Sequence, residues 1–286
     1  MTQKVWLITG CSTGFGRELA KIAAAKGDFV VGTLRKESQI EEFESLSPGK
    51  ITAIILDVTN PEQIKEGVDK AVQMHGKIDV LVNNAGYGVL GSVEEVTEEA
   101  MQSQFNVNVF GAVRMIKAVL PYMRRQRKGH ILNITSIAGL NGFPGVGIYN
   151  GSKFALEGIG EALAAETSHL GIKVTNIEPG PFRTDWAGRS ANLFHSEIVD
   201  YKESAWKNVQ SISGVSGKQV GDPEKAANAM YKVTQMEKPP LHLPLGASSY
   251  KRARIKFSTI LEEFDQYENI GLPTDFTEDE LKAMEN

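Results

Sequence analysis

Four polar side chains in the middle of the sequence are of types that can carry a proton or hold a reacting oxygen. Tyr149 and Lys153 lie four residues apart in a helical pattern, a spacing that places both side chains on one face of a helix. Ser136 precedes them, just after an apolar run, and Asn108 lies within an earlier helical pattern. Such residues also have purely structural interpretations: Tyr149 could be packed in a core, and Ser136 could cap a turn. The four therefore form a candidate site whose meaning depends on the motifs around it.

A glycine-rich segment near the N-terminus, residues 9–16, is suited to bind the pyrophosphate of a nucleotide. It stands between a short apolar run and an amphipathic helical pattern, and its glycines have the spacing Gly10-x3-Gly14-x-Gly16. Glycines at such a turn let a phosphate approach the free N–H groups at the helix N-terminus. The spacing differs from G-x-G-x-x-G, but its position after the first strand predicts a dinucleotide-binding loop.

The end of the second predicted strand favours NADP(H) over NAD(H). A carboxylate normally binds a free ribose 2′-hydroxyl at this place, whereas here Leu34 is followed by Arg35 and Lys36. A guanidinium suits a 2′-phosphate, so Arg35 predicts NADP(H); NAD(H) is the alternative if Arg35 is only a solvated loop residue. Asp57, after the third predicted strand, could accept a hydrogen bond from the adenine amino group or cap the next turn.

These residues must be positioned by an alternation of strands and helices. Nearly all-apolar runs predict buried strands at residues 5–9, 29–33, 51–56, 80–83, 131–134 and 173–177. Helical patterns lie between them, including residues 61–75, 97–126 and 146–170, whereas residues 181–221 contain no clear strand. The alternation predicts an α/β fold: a doubly wound (Rossmann) parallel sheet with helices on both faces. Residues 1–243 would form this single domain and residues 244–286 a C-terminal helical extension.

Composition restricts the partners and the location. The 286 residues carry a net charge of −4, which argues against a general nucleic-acid or anionic-membrane binder. The single cysteine excludes an internal disulfide framework and suits a reducing compartment. No apolar run is long enough to span a membrane or form a signal-peptide core, so we expect a cytoplasmic protein. The five histidines are scattered without ligand spacing, and no metal is expected.

Together the motifs resemble those of the short-chain dehydrogenase/reductase family. The glycine loop, Asp57, an Asn-Asn-Ala-Gly segment at 83–86, the four polar residues and a Pro-Gly segment at 179–184 occur in the family's order over about residues 4–243. Within the family, the chain resembles the branch that contains 17β-hydroxysteroid and retinol dehydrogenases. The cofactor-binding residues that the resemblance implies are Gly10, Ser12, Thr13, Gly14, Phe15, Gly16, Arg35, Asp57, Val58, Asn84, Ala85, Gly86, Tyr149, Lys153, Pro179, Gly180, Phe182 and Thr184.

The resemblance also implies a catalytic role for each of the four polar residues. Tyr149 would exchange a proton with the substrate oxygen, which Ser136 would hold. Lys153 would favour the phenolate, since an ordinary phenol pKa of ~10 is too high for acid–base work at neutral pH. Lys153 would also bind the nicotinamide ribose, and Asn108 would position a water that links Lys153 to solvent.

We therefore expect an NADP(H)-dependent oxidoreductase that interconverts a hydrophobic ketone or aldehyde and its alcohol. The alternatives are an NAD-linked alcohol dehydrogenase of the hydroxysteroid type, working oxidatively, and a non-catalytic nucleotide-sensing protein. A substrate loop is expected at about residues 187–217. The substrate-contact candidates, selected by proximity to the motifs, are Ser136, Tyr87, Phe143, Trp186 and Phe194, with Ile137, Val146 and Phe182 beside them.

A homodimer or homotetramer is expected, because the family usually pairs its two long helices across two-fold axes. Apolar residues on these two helical patterns could supply the subunit contacts or belong to the core of one chain; they are Phe105, Phe110, Met115, Ile116, Phe154, Leu156 and Ile159.

Overall fold

The computed structural model describes residues 3–188, 191–194 and 198–285. Within these residues, nine strands form two sheets. The strands are β1 Val5–Ile8, β2 Phe29–Leu34, β3 Ile51–Ile55, β4 Val80–Asn83, β5 Gly88–Leu90, β6 Gly129–Ile134, β7 Ile172–Pro179, β8 Ala191–Leu193 and β9 His242–Leu245. The larger sheet has seven strands in the order β3-β2-β1-β4-β6-β7-β9, and all its pairs are parallel. The predicted doubly wound parallel fold is confirmed.

Helices connect the strands and cover both faces of the large sheet. They are α1 Gly14–Ala25, α2 Ile40–Glu44, α3 Pro61–His75, α4 Glu98–Phe105, α5 Ala112–Gln126, α6 Gly147–Thr167, α7 Lys207–Gly214, α8 Pro223–Val233, α9 Ala247–Gly271 and α10 Glu278–Met284. Helix α3 has the predicted bounds for a local reason: the side chain of Asn60 caps its first turn, Pro61 follows, and Gly76 ends it with a φ of 74°.

The predicted helix over residues 97–126 has an interruption. Helices α4 and α5 are joined by a π-helical turn, Asn106–Gly111, which carries Asn108. Wide turns of this kind are frequent at functional sites, because they re-aim the side chains of an otherwise regular helix.

The core consists of one apolar layer on each face of the large sheet. Strand β1 is buried on both faces: Trp6 and Ile8 join the layer under α1 and α8, and Leu7 joins the layer under α3 and α5. Alternate residues of a strand point to opposite faces, so a strand covered on both sides has no polar positions. This is why the strand runs in the sequence are continuous rather than alternating.

The expectation of no strand within residues 181–221 is wrong. Strand β8 lies in this segment and pairs in parallel with β5, with Gly88 opposite Ala191 and Leu90 opposite Leu193. Three residues are too few to show a periodic pattern, and β8 exists only because β5 lies beside it.

Of the residues considered for subunit contacts, Met115, Ile116 and Leu156 are buried inside the chain, whereas Phe110 and Phe154 are exposed. The core alternative therefore holds for these three. No helix in the described part of the chain is both long and apolar enough to cross a membrane.

Candidate active site

The glycine-rich loop lies at the carboxyl end of β1 and leads directly into α1. Gly10 and Gly14 have φ values of 71° and 61°, in the left-handed region that favours glycine. A Cβ on Gly16 would lie 2.5 Å from Nδ2 of Asn84 and 2.7 Å from the carbonyl oxygen of Gly10. Only glycine fits this close packing, and the loop leads into a helix N-terminus where residues 14–17 carry no acidic side chain that would repel a phosphate. Such a cradle fits the pyrophosphate of a dinucleotide.

The Asn-Asn-Ala-Gly segment holds this loop in place. The Nδ2 of Asn84 donates to the carbonyl oxygens of Thr9 and Gly10, at 2.8 and 2.9 Å. The backbone N–H groups of Asn84 and Ala85 both donate to Oγ1 of Thr9. Asn84 and Ala85 thus hold the backbone of the loop in place. The sequence predicted only a contact with the cofactor for these two residues.

The other loop residues and the 179–184 segment lie side by side. Ser12, Thr13 and Phe15 are half-buried, and the ring of Phe15 meets that of Phe182 edge-on, with centroids 5.3 Å apart. Thr184 lies beside the loop, since a Cβ on Gly14 would be 3.6 Å from it. Cys11 is fully buried, and burial raises the pKa of its thiol, so it is a packed side chain rather than a reactive one.

Arg35 follows β2 at the same edge of the sheet as the glycine loop. The backbone N–H of Cys11 donates to the carbonyl oxygen of Thr33, so the loop and the end of β2 are in direct contact. Leu34 is buried, whereas Arg35 and Lys36 are exposed and accessible to a ligand.

Asp57 adopts the capping alternative. Its Oδ1 accepts hydrogen bonds from the backbone N–H and the hydroxyl of Thr59, at 2.8 and 2.7 Å. The neighbouring Val58 is buried against Gly111 in the π-helical turn. An adenine amino group that bound Asp57 would therefore have to share its carboxylate with Thr59.

Tyr149 and Lys153 lie on one face of α6, both almost fully buried. The Lys153 ammonium is 5.7 Å from the centre of the Tyr149 ring and donates to the carbonyl oxygen of Ile134 at 2.8 Å. Burial lowers the pKa of Lys153 to about 8, while the charge of Glu157 acts in the opposite direction. Burial raises the pKa of Tyr149, and a hydrogen bond with Ser136 partly offsets this effect.

Ser136 lies at the end of β6, where ligands bind in parallel sheets. Its Oγ accepts a hydrogen bond from the backbone N–H of Ala138 at 3.0 Å and donates to the carbonyl oxygen of Pro179 at 3.4 Å. Ser136 thus caps a short turn and also meets Tyr149. The structural and functional interpretations of this serine are compatible.

Asn108, in the π-helical turn, lies near Lys153. Its side chain makes two hydrogen bonds with the backbone of Tyr87, and its Nδ2 also donates to Oγ of Ser152. A Cβ on Gly86 would lie 3.1 Å from Oδ1 of Asn108 and 3.6 Å from Nζ of Lys153. The fold therefore brings the four polar residues together, beside the glycine of the Asn-Asn-Ala-Gly segment.

An apolar cluster encloses the Tyr149 ring. The ring of Trp186 lies 4.8 Å from it, centre to centre, and the indole N–H of Trp186 has no hydrogen-bond partner among the described residues. The cluster consists of Leu90, Phe143, Val146, Ala138, Tyr149, Trp186, Ala191, Trp206, Val209 and Ile212. Phe143, Val146 and Trp186 were expected near the substrate, whereas Leu90, Trp206, Val209 and Ile212 were not. In the sequence, α7 is indicated by two apolar residues three positions apart, Val209 and Ile212.

The remaining substrate candidates occupy the edges of the cluster. Tyr87 is half-buried beside Asn108, and Ile137 is buried in the turn that Ser136 caps. Phe194 donates its backbone N–H to Leu90, next to the cluster. Phe182 packs on Phe15 of the glycine loop and is not among the residues of this cluster, so its expected contact with the substrate stays a prediction. Gly180 lies against Ser249 in α9, since a Cβ there would be 2.8 Å from Oγ.

A second polar cluster, which no pattern in the sequence indicated, lies under Lys153. The Nδ1 of His242 lies 2.8 Å from Oε1 of Glu178 and 3.5 Å from Oε2 of Glu157. Burial raises the pKa of each glutamate to about 7. The three side chains lie close enough to share a cation. Three different elements supply them, so no ligand spacing exists in the sequence.

Comparison with known proteins agrees with this arrangement. A family model described as short chain dehydrogenase matches residues 4–192. A 3-ketodihydrosphingosine reductase from Bacteroides thetaiotaomicron is 38% identical over 247 residues, which cover 86% of this chain and 89% of that protein. Human retinol dehydrogenase 8 is 42% identical over 190 residues, 64% of this chain and 60% of that protein.

Solved structures match most of the chain. A short-chain dehydrogenase from Streptomyces avermitilis superposes with a TM-score of 0.90 at 38% identity, covering 96% of this chain and 99% of that one. ElxO with NADP bound superposes with a TM-score of 0.72 at 28% identity, covering 87% of this chain and 100% of that one.

Proposed function

The chain belongs to the short-chain dehydrogenase/reductase family, and from this premise we propose that it is an NADP(H)-dependent oxidoreductase that interconverts a hydrophobic ketone or aldehyde and its alcohol. The observation that carries the proposal is the position of the Tyr149 hydroxyl. This hydroxyl is hydrogen-bonded to Ser136 at the end of β6, the Lys153 ammonium lies 5.7 Å from the centre of the Tyr149 ring, and an apolar cluster encloses that ring.

The chain's own residues can move the proton that the reaction needs. The nicotinamide, when bound, supplies or accepts the hydride at the carbon of the substrate. In the reducing direction, Tyr149 gives its hydroxyl proton to the substrate oxygen, which Ser136 holds by a hydrogen bond. Lys153 keeps a positive charge near the phenolate that results, and so offsets the cost of forming an anion in a buried site. Asn108 aligns the backbone at Tyr87 beside this pair.

The cofactor assignment rests on the loop and on one cation. Gly10, Gly14 and Gly16 provide the phosphate cradle, and Thr184 stands beside it. Arg35 is an exposed cation directly after β2, where a 2′-phosphate would lie. The similarity to ElxO, whose structure contains NADP, supports a nicotinamide cofactor.

The substrate class rests on the wall around Tyr149. Trp186, Phe143 and Trp206 form an apolar surface suited to an extended hydrophobic substrate. Two of the relatives are named a 3-ketodihydrosphingosine reductase and a retinol dehydrogenase, and the molecules in both names are hydrophobic and carry a carbonyl or hydroxyl group.

Cofactor titration of the wild type and an Arg35→Ala variant tests the proposal. We expect the variant to bind NADPH about 10–100-fold more weakly, because it loses a charge-assisted hydrogen bond, with little change for NADH. Lys26→Ala is the matched control, since Lys26 is an exposed cation at the far end of α1. Equal binding of both cofactors, unchanged in the variant, would contradict the NADP(H) assignment. It would favour an NAD-linked dehydrogenase instead.

A further inference from the structure

The longest helix of the chain extends beyond the domain that it starts from. Helix α9 runs over 25 residues, about 38 Å. Its first turns are fixed to the domain: Ser249 and Ala253 are buried, and the guanidinium of Arg252 lies 5.0 Å from the Phe143 ring. Every residue from Leu261 to its end is exposed.

The exposed part of α9 carries an apolar stripe. Phe257, Leu261 and Phe264 have the spacing of one helix face, and they are 51%, 61% and 66% exposed. Tyr250 and Tyr267 extend the stripe at its two ends, both also exposed. A row of exposed apolar side chains along one helix face is typical of an interaction site rather than of a solvated surface.

The charges of α9 are divided between its two halves. The first half contains only basic charged residues and the second half only acidic ones: Lys251, Arg252, Arg254 and Lys256 come before the middle, and Glu262, Glu263, Asp265 and Glu268 after it. Most exposed helices mix the two signs to form pairs one turn apart. In α9 the two signs are kept apart. A basic residue of the first half therefore has no acidic residue one turn away on the same helix, and the same holds for the acidic residues of the second half.

We propose that α9 pairs in the antiparallel direction with α9 of a second copy of this chain. A two-fold axis near Thr259 would place residues 250–256 of each copy beside residues 262–268 of the other. The basic half then meets the acidic half twice, and Phe257 lies opposite Leu261 at the centre. A two-fold contact needs a surface that complements itself, and the charge pattern of α9 has this property about its midpoint. A parallel pair would set like charges against each other.

This contact differs from the one expected from the two long helices of the family. It uses an element outside the sheet and does not depend on the proposed catalytic function. It also explains why the apolar stripe continues past the last residue that touches the domain. A lipid surface is the competing occupant, but the acidic half of α9 would be repelled by anionic headgroups.

A charge-exchange experiment with the full-length protein tests the pairing. One variant carries Lys251→Glu, Arg254→Glu and Lys256→Glu; the other carries Glu262→Lys, Glu263→Lys and Glu268→Lys. These side chains are mostly exposed, so both variants should fold, which circular dichroism can verify. Arg252 is left unchanged because it contacts Phe143. Sedimentation velocity, with one variant tagged, measures association alone and after mixing.

We expect each variant alone to associate at least about tenfold more weakly than the wild type, because acidic meets acidic or basic meets basic. A mixture of the two should restore association as a 1:1 complex, since opposite charges face each other again. Three results would overturn the proposal: a monomeric wild type at tens of micromolar, variants that associate like the wild type, or a mixture without the mixed complex. Co-flotation of a monomeric wild type with phosphatidylcholine vesicles would assign the stripe to lipid instead. Phe264→Ser is a third variant, which removes part of the apolar stripe without changing the charge, and it should weaken association without any rescue by mixing.

Discussion

At the scale of single residues, the site depends on what burial does to Tyr149 and Lys153. Burial raises the pKa of the phenol and lowers that of the ammonium, so each side chain alone would stay neutral more readily than in water. A phenolate beside a charged lysine reverses both penalties, because the two charges stabilise each other. The pair therefore works best when proton transfer creates the anion next to the cation.

Replacement of Tyr149 by Phe removes the proton that the site can donate. We expect the rate of NADPH-linked ketone reduction to fall by about 10²–10⁴-fold, the usual contribution of a positioned acid or base. Tyr122→Phe is the control, since that hydroxyl contacts Asp69 on the surface, far from the cluster. Steady-state kinetics with a panel of hydrophobic ketones measures both variants. Full activity of Tyr149→Phe would assign the proton to another group.

At the scale of elements, strand-to-helix turns at one edge of the sheet create the site. The glycine loop follows β1, Arg35 follows β2, the Asn-Asn-Ala-Gly segment follows β4, and Ser136 follows β6. Parallel strands end at the same edge, so segments far apart in the chain become neighbours through the strand order, and hydrogen bonds such as that from Asn84 to Gly10 then hold them together. The π-helical turn and α6 then bring Asn108, Tyr149 and Lys153 to this edge.

The substitution Gly16→Ala tests the packing between two of these turns. Its Cβ would meet Asn84 and the Gly10 carbonyl at distances that the loop cannot accept without moving. We expect NADPH affinity to fall by at least about tenfold, because the phosphate cradle depends on the backbone path. Gly158→Ala in α6 is the matched control, since no atom lies within 4 Å of its added Cβ. That variant should be unchanged, or more stable by about 0.5–1 kcal/mol. Isothermal titration and thermal unfolding measure the two effects, and unchanged cofactor binding in Gly16→Ala would contradict the assignment of the loop.

At the scale of the whole molecule, the buried pair Glu157 and Glu178 links the stability of the fold to pH. The pKa of each carboxyl rises to about 7 in the folded state because burial disfavours the charge, whereas an unfolded glutamate has a pKa of ~4.3. The folded state therefore binds more protons than the unfolded state between these values. This contribution to stability is fully present below the unfolded pKa and is lost as the pH rises through about 7.

We expect the free energy of unfolding to fall between pH 5 and pH 8, and Glu178→Gln to reduce that fall. An amide keeps the shape without the charge, so the variant should be more stable than the wild type at pH 8, by about 2 kcal/mol. The matched control is Glu161→Gln, whose carboxyl is exposed and lies 3.7 Å from Nε2 of His242. Urea unfolding at several pH values measures the difference. A wild type whose free energy of unfolding falls no more steeply from pH 5 to pH 8 than that of Glu178→Gln would contradict the raised pKa of Glu178.

Much of the molecule was predictable because its signals are local. Burial on both faces made the strands of the large sheet continuous apolar runs, and caps such as Asn60 and Gly76 marked helix ends. The spacing of Tyr149 and Lys153, the glycine loop and the order of the motifs identified the family and the edge where the site lies. These features depend on residues that are close together in the chain.

Only the tertiary structure decided which side chains meet. It placed Trp186 on the Tyr149 ring, paired β5 with β8, turned Asp57 towards Thr59, and gathered Glu157, Glu178 and His242 from three elements. It also separated Met115 and Leu156, which are core, from Phe257 and Leu261, which are surface. Periodicity in a sequence shows that a helix has an apolar face but not what covers it, because the covering group comes from a distant part of the chain or from another molecule.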